Sequence, residues 1–176
     1  MVRRRSLVAL ALMLPGALAG CGWRPLYADA ETGPADADLR AIKVDPIAER
    51  IGQNLEIGLR DALNPQGIPT PPRFELTTTL KTTRSDLSIQ SQGLATRGQV
   101  DVIATFVLSA LPSHKQLLKN TIHVNDSFDI LASGYATVVT EHDAYTRTVH
   151  ELLNEILARL TMYMQRRHNR VAATRS

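Results

Sequence analysis

Few residues in this sequence could carry out catalysis, and their spacing matches no familiar catalytic arrangement. The five histidines are His114, His123, His142, His150 and His168. No two of them are four residues apart, as a zinc-binding pair on one helix would be. The sequence also lacks a cysteine pair, a Gly-x-Ser-x-Gly nucleophile elbow and a glycine-rich phosphate loop. Asp126 and Asp129 are close together, but two acids near a turn are usually solvated. We therefore expect no enzyme activity, no bound metal and no cofactor.

The single cysteine, Cys21, follows a segment with the three parts of a secretory signal. Arg3–Arg5 form a positively charged start, and Leu7–Leu14 is an uninterrupted apolar run. This run is too short to span a bilayer, which needs about 20 apolar residues. Pro15–Gly16 then interrupt any helix, and small residues follow. We therefore interpret residues 1–20 as a signal peptide that is removed.

The end of this segment, Leu18-Ala19-Gly20-Cys21, resembles the lipobox of bacterial lipoproteins. The resemblance implies that Cys21 becomes an N-terminus that carries palmitate-type acyl chains. The alternative is an ordinary secretory signal followed by a free thiol, but a free cysteine is a liability in an oxidising compartment. Because several acyl chains anchor a protein stably, we expect an exported domain that Cys21 holds to a membrane.

Removal of the signal peptide changes the charge balance. Three of the 20 basic residues lie within residues 1–20, so the mature chain keeps 17 basic and 17 acidic residues. A nucleic-acid-binding domain would need a basic face of its own, and we therefore expect no nucleic-acid partner. Residues 168–176 are predicted to be a basic C-terminal tail, which is either the solvated end of a helix or a contact with anionic lipid.

The mature chain has the usual length of one domain. Residues 21–38 are predicted to be the lipidated N-terminus and a tether, because residues 28–38 are small, polar and aperiodic. The folded domain is predicted over residues 39–167. It begins with a short strand over residues 39–44 and a helix over residues 46–63, for which Asp45 is the predicted N-cap and Pro46 lies in the first turn.

From Arg73 onward alternate residues are apolar, which predicts three strands. The first two of these three strands are joined by a predicted connection over residues 85–95. The residues predicted to face inward are Phe74, Leu76, Thr78 and Leu80, then Val100, Val102, Ala104, Phe106 and Leu108, then Leu118, Ile122 and Val124, with Phe128 and Ile130 continuing past a bend. A last helix is predicted from a capping-box start at Thr140 and Asp143 to about residue 166.

A helix between the first two strands allows a parallel crossover, whereas hairpins join antiparallel strands. We therefore expect an α+β fold of two layers. Its mixed four-stranded sheet has two helices packed on one face, and the element order is β-α-β-β-β-α.

Several short strings resemble the LptE family of lipopolysaccharide-assembly lipoproteins. The first is Cys21-Gly22-Trp23-Arg24-Pro25-Leu26-Tyr27, which looks like the start of the mature chain in that family. Three weaker strings follow in the family's order: Arg73-Phe74-Glu75-Leu76, Ala95-Thr96-Arg97 and Tyr135-Ala136-Thr137. The resemblance implies a lipoprotein that is anchored to the outer membrane and faces the periplasm.

The same resemblance implies a partner and a function. Members of the family form a one-to-one heterodimer with the outer-membrane barrel LptD, sit inside it as a plug, and help to insert lipopolysaccharide into the outer leaflet. The protein would then be a binding module and assembly factor that catalyses no reaction. Its partners would be an LptD-type barrel, lipopolysaccharide and the membrane that holds its acyl chains.

The outward-facing strand positions provide a separate indication of a binding surface. Ile103 and Val107 interrupt a face that is otherwise predicted to be polar. The cations assigned to the same face are Arg73, Lys81, Arg97, Lys115 and Lys119, with His123 beside them. Such a mixture suits the phosphates of lipopolysaccharide or the wall of a barrel. The alternative is a solvated face that carries two residues of high strand propensity.

Two other functions remain open from the sequence. One is a free-standing periplasmic lipoprotein that binds a small apolar ligand. It would need an enclosed apolar pocket, for which two helices lying flat on a sheet would leave little room. The other is an envelope lipoprotein that contacts the cell-wall polymer.

Overall fold

The computed structural model describes residues 34–89 and 95–174. Its elements, in chain order, are helix α1 (Pro34–Arg40), strand β1 (Ile42–Val44), helix α2 (Arg50–Leu63), strands β2 (Phe74–Ile89), β3 (Ala95–Ala110) and β4 (Lys115–Asp129), and helix α3 (Gly134–Ala173). The predicted signal peptide, Cys21 and most of the predicted tether lie outside the described residues.

The four strands form one mixed sheet in the spatial order β1-β2-β3-β4. β1 is only three residues long and runs parallel to the start of β2, where Ile42 lies opposite Phe74. β2, β3 and β4 are antiparallel neighbours. α2 lies in the crossover that a parallel pair requires. The predicted α+β fold with a mixed four-stranded sheet is confirmed, and α1 is an additional short helix.

One face of the sheet carries the hydrophobic core, as the period-two pattern predicts. The inward-facing residues of β3, which are Val100, Val102, Ala104, Phe106 and Leu108, are fully buried. α2 covers this face with Leu55, Leu59 and Leu63, and α3 covers it with Leu152, Ile156, Leu160 and Met164. Full burial of one such side chain contributes roughly 1.5–3 kcal/mol. The two long helices are therefore fixed on the inner face.

The start of the domain differs from the prediction of a tether up to Asp38 and a strand from Leu39. Residues 34–40 form α1 instead. The side chain of Asp38 is only 3% exposed, and its two oxygens lie 2.6 Å from Arg73 Nη1 and 3.0 Å from His168 Nε2. Leu39 packs against the core. α1 is therefore held by contacts with residues that are distant in sequence, which a local pattern does not reveal.

α2 begins at Arg50, about one turn later than the predicted start at Pro46. The predicted N-cap, Asp45, makes other contacts: its carboxylate accepts a hydrogen bond from Thr77 Oγ1 at 2.9 Å and lies 3.1 Å from Lys43 Nζ. The prediction failed because Thr77 of the neighbouring strand and Lys43 of β1 engage the carboxylate that a helix cap would use.

β2 and β3 extend into the predicted connection over residues 85–95. Their pairing continues as far as Ile89 and Ala95, with Asp86 opposite Gly98. The Phe128 ring lies against Gly98, where a side chain would collide with it. From Leu118 to Asp129, β4 pairs with β3 in an unbroken register that includes Phe128, so the pairing continues through the predicted bend.

α3 is 40 residues long, from Gly134 to Ala173, and exceeds the predicted range at both ends. Thr140, which was predicted to begin the capping box, lies inside the helix, and its hydroxyl donates to the Asp129 carbonyl at 2.8 Å. The predicted domain boundary after residue 167 also falls inside α3. Residues 168–173 are therefore part of this helix and do not form a separate tail.

Substitution of Ile156 by Asp tests the packing of α3. Ile156 is fully buried, and an unpaired carboxylate at this position should cost several kcal/mol, which is comparable with the whole stability of a small domain. We expect Ile156→Asp to unfold the domain in a thermal melt followed by circular dichroism. Asn154→Asp adds the same charge at an exposed position of the same helix and should leave the melting temperature nearly unchanged. An unchanged melt for Ile156→Asp would show that α3 does not pack on the sheet as described.

Substitution of Thr78 should stabilise the domain, whereas substitution of Ile156 should destabilise it. It faces the core at 6% exposure, and its hydroxyl has no hydrogen-bond partner. A buried unsatisfied hydroxyl costs about 1–3 kcal/mol, so Thr78→Val should stabilise the domain by about 1 kcal/mol and raise its melting temperature by a few degrees. The matched control is Thr79→Val on the exposed face of the same strand, which should change stability by no more than about 0.5 kcal/mol. A lower melting temperature for Thr78→Val would mean that the hydroxyl is satisfied.

Candidate functional site

The face of the sheet opposite the helices is the first candidate site. Cross-strand pairing places Lys81, Ile103 and His123 in one row across β2, β3 and β4. Four residues along β3, Val107 lies between Thr77 and Lys119. Because directly paired residues share a face of a sheet, the two apolar residues and three of the predicted basic groups are brought together on this outer face.

The outer face is mainly polar, and its apolar residues are isolated. Ile103 is 37% exposed and Val107 is half-buried. Thr105 separates them along β3, and its hydroxyl shares a hydrogen bond with Thr121 at 3.2 Å. The face therefore lacks the large contiguous apolar patch that marks many obligate interfaces.

Some of the lysines near the outer face form ion pairs, and others do not. At one end, Lys43 Nζ lies 3.1 Å from Asp45 and 3.2 Å from Glu75. Hydrogen bonding to Asp45, and then to Glu75, raises the pKa of Lys43. At the middle, Lys81 and Lys119 are exposed and form no ion pair among the residues that the structure describes. The centre of this face therefore carries two available ammonium groups.

Toward the other end of the outer face, Asp101 and Arg97 form hydrogen bonds with neighbouring side chains. Asp101 accepts hydrogen bonds from Gln99 Nε2 at 2.9 and 3.0 Å, and His123 Nε2 lies 3.3 Å from it. Arg97 Nη2 donates to Ser127 Oγ at 2.9 Å. The carboxylate of Asp101 is thus hydrogen-bonded within the face, and neither Lys81 nor Lys119 forms an ion pair with it.

Two residues of the predicted surface lie elsewhere. Arg73 precedes β2, where its guanidinium contacts buried Asp38 at 2.6 Å and lies 5.6 Å from the centre of the Phe74 ring. Lys115 pairs with Ala110, on the helix side of the sheet, because the register of β3 and β4 shifts between Leu108 and Ser109. The assignment of Arg73 and Lys115 to the outer face was therefore wrong, and Lys81, Arg97, Ile103, Val107 and Lys119 remain on it.

A cleft on the helix side is the second candidate site, and the sequence did not predict it. α2 and α3 approach closely where Gly58 meets Leu153: a side chain at Gly58 would lie 3.0 Å from Leu153 Cδ2. Toward the start of α2, a cleft of about 440 Å³ lies between the helices, with Thr82 of β2 also lining it. This cleft is open to solvent, so it does not contradict the expectation that two helices on a sheet leave little room for an enclosed apolar pocket. The early start of α3, which supplies Val138 to this cleft, was the feature that the sequence pattern missed.

An ion pair links β2 to α3 beside the cleft. Arg84 of β2 reaches α3, and its Nε lies 3.3 Å from Glu141 Oε2. Burial raises the pKa of Tyr145, the negative charge of Glu141 raises it further, and the positive charge of Arg84 opposes this effect. Thr82 Oγ1 is buried without a hydrogen-bond partner. The cleft thus combines apolar side chains with two carboxylates, Glu49 and Glu141, and Glu141 shares Arg84 with Asp86.

The remaining sequence candidates do not form a reactive cluster. Asp126 pairs with Arg147 Nε at 2.6 Å, whereas Asp129 faces solvent. Within residues 34–89 and 95–174, no three His, Cys, Asp or Glu side chains come together as metal ligands. In the same ranges, no helix is both long and apolar enough to cross a membrane.

The fold occurs in solved structures of bacterial lipoproteins. A candidate lipoprotein from Caulobacter crescentus CB15 matches with a TM-score of 0.59 and 20% sequence identity, covering 74% of this chain and 96% of that chain. Uncharacterised lipoprotein B from Nitrosomonas europaea matches with a TM-score of 0.55 and 12% identity over 70% of this chain and 82% of that chain. A minor lipoprotein from Acinetobacter baumannii matches with a TM-score of 0.51 and 11% identity, over 69% of this chain and 91% of that chain. No protein-family model and no curated protein matches the sequence. The domain therefore shares the fold of these lipoproteins.

Proposed function

We propose that this protein is an outer-membrane lipoprotein that partners an LptD-type barrel as plug and assembly factor in the insertion of lipopolysaccharide. The outer face of the sheet is the observation that carries this proposal. It carries the exposed lysines Lys81 and Lys119, which form no ion pair among the described residues, and it contains the isolated apolar residues Ile103 and Val107. The fold shared with solved lipoproteins and the lipobox at Cys21 support the same proposal.

The composition of the outer face suits a barrel lumen. The interior of an outer-membrane barrel is polar, so a plug needs a mixed surface and not an apolar patch. Threonines, two lysines and two separate apolar side chains provide such a surface. The inner face cannot serve this purpose because α2 and α3 already cover it.

The same lysines suit the phosphates of lipopolysaccharide. A lysine ammonium forms short, charge-assisted hydrogen bonds with phosphate oxygens. Neither Lys81 nor Lys119 would have to leave an ion pair among the described residues to make such a contact. In this proposal the protein binds and positions its partners, and it catalyses no reaction.

Lipidation is tested by Cys21→Ser. The sequence contains no other cysteine, so we expect complete loss of label when cells grow with a radioactive fatty acid. The domain should keep its wild-type melting curve, because the hydrophobic core is formed by residues far from position 21 in the sequence. Label that persists in Cys21→Ser would contradict the interpretation of the N-terminus.

Barrel binding is tested by comparing two double variants in tagged protein purified from membranes with mild detergent. We expect Ile103→Glu with Val107→Glu to lose co-purification of a barrel at one-to-one amount, because two carboxylates would replace the apolar contacts of the outer face. The control is Glu151→Lys with Glu155→Lys on the exposed side of α3, which should retain the barrel. Both variants are first checked for a wild-type melting curve.

Two outcomes would contradict this assignment. Loss of the barrel only in the helix variant would place the contact on α3. A wild-type protein that purifies as a monomer, with no barrel, would favour a free-standing lipoprotein that binds a small apolar ligand or the cell-wall polymer.

A further inference from the structure

Basic residues from the end of α3 and the start of β4 lie at one end of the domain. The guanidinium carbon of Arg167, in α3, lies 5.0 Å from the centre of the Phe74 ring. Phe74 begins β2 and pairs with Ala110, which pairs in turn with Lys115 at the start of β4. The last turns of α3 are therefore at the same end of the sheet as the connection between β3 and β4. The basic end of the domain is formed by Arg166, Arg170 and Lys115.

The three cations of the basic end are available to an external partner. Each of their side chains is exposed, and none forms an ion pair among the residues that the structure describes. Arg170 Nε donates a hydrogen bond to the Arg166 carbonyl at 3.4 Å. Residues four apart are neighbours on the surface of a helix, so these two arginines present their charges from one side of α3.

The elements that carry these cations hold no acidic residue near them. α3 has no Asp or Glu after Glu155, and β4 has none before Asp126. Asp38 of the adjacent α1 is buried. Asp36 and Asp61, which form no ion pair within the described part of the chain, belong to α1 and α2. The end of α3 and the start of β4 therefore present a positively charged surface.

The predicted lipid anchor is connected to this same end of the domain. α1 is held against the end of α3, where Asp38 Oδ2 lies 3.0 Å from His168 Nε2. The chain from Cys21 to Pro34, the first residue of α1, spans at most about 47 Å in any conformation. Gly134, at the start of α3, lies about 50 Å farther along the helix than His168. The basic end is therefore the end of α3 that is connected to the anchor by the shorter path.

We propose that the basic end lies against the anionic phospholipid head groups of the bilayer that holds the acyl chains of Cys21. Arg166, Arg170 and Lys115 pair with head-group phosphates, for which guanidinium and ammonium groups are suitable donors. This contact fixes the orientation of the domain on the membrane surface. The inference rests on the acylation of Cys21, which is part of the proposed function, and it does not require a barrel partner.

The test uses the lipidated mature protein, purified from membranes and reconstituted into phosphatidylcholine vesicles with or without one third phosphatidylglycerol. The sequence has no cysteine besides Cys21, so a fluorophore can be attached solely through Asn169→Cys, an exposed position between the two arginines. A lipid with a nitroxide on its head group quenches a label at the membrane surface. We expect at least about twofold stronger quenching in the anionic vesicles, and 1 M salt should remove the difference because it shortens the Debye length to about 3 Å.

A second label position and a matched arginine variant are the controls. Tyr135→Cys carries the label at the exposed start of α3, where quenching should not depend on phosphatidylglycerol. With the label at Asn169→Cys, Arg166→Gln and Arg170→Gln should each reduce the quenching that depends on phosphatidylglycerol, because loss of one charge weakens the docked state about fivefold. Arg50→Gln makes the same change at an exposed position at the start of α2 and should leave the quenching unchanged.

Flotation separates failure of the anchor from failure of the docking. Protein that does not float with neutral vesicles would contradict the acylation of Cys21, and the tethered docking with it. Protein that floats but shows equal quenching at Asn169→Cys in neutral and anionic vesicles would overturn the docking alone. Equal dependence on phosphatidylglycerol at Tyr135→Cys, or an equal loss of quenching in Arg50→Gln, would also overturn the assignment of the basic end.

Discussion

Burial of one face of the β2-β3-β4 meander is the constraint on which the rest of this domain depends. The inward residues of β3 are fully buried only because α3 crosses the sheet and α2 packs beside it. Both helices are thereby committed to the inner face, and the outer face is left to solvent or to a partner. The same arrangement creates the cleft, because α2 and α3 touch at Gly58 and Leu153 and enclose open space nearer to the start of α2.

The sequence predicted the strands and their inner faces well, because a period of two is a strong signal where one face is buried. It failed where contacts between distant residues determine local structure. Asp38 is held by Arg73 and His168, so a short polar segment became helical. The early start of α3 was missed for a related reason, since the Thr140 hydroxyl bonds to the end of β4.

The candidate sites show the same limit. Ile103, Val107, Lys81 and Lys119 were predicted on one face because each follows the alternation of its own strand. Lys115 was misplaced because a single register shift between β3 and β4 reverses the alternation beyond it. The cleft was not predictable from periodicity, because it depends on how two helices diverge in space.

Because β1 is only three residues long, it covers only the start of β2 at this edge of the sheet. Beyond Leu76, the main chain of β2 has no neighbouring strand on that side within the described residues. At the opposite edge, Arg159 and Arg147 donate to the carbonyls of Thr121 and Ser127 at 3.3 and 3.4 Å. These arginines occupy acceptors of β4 that an incoming strand could use. Main-chain addition from another polypeptide is therefore less obstructed beside β2.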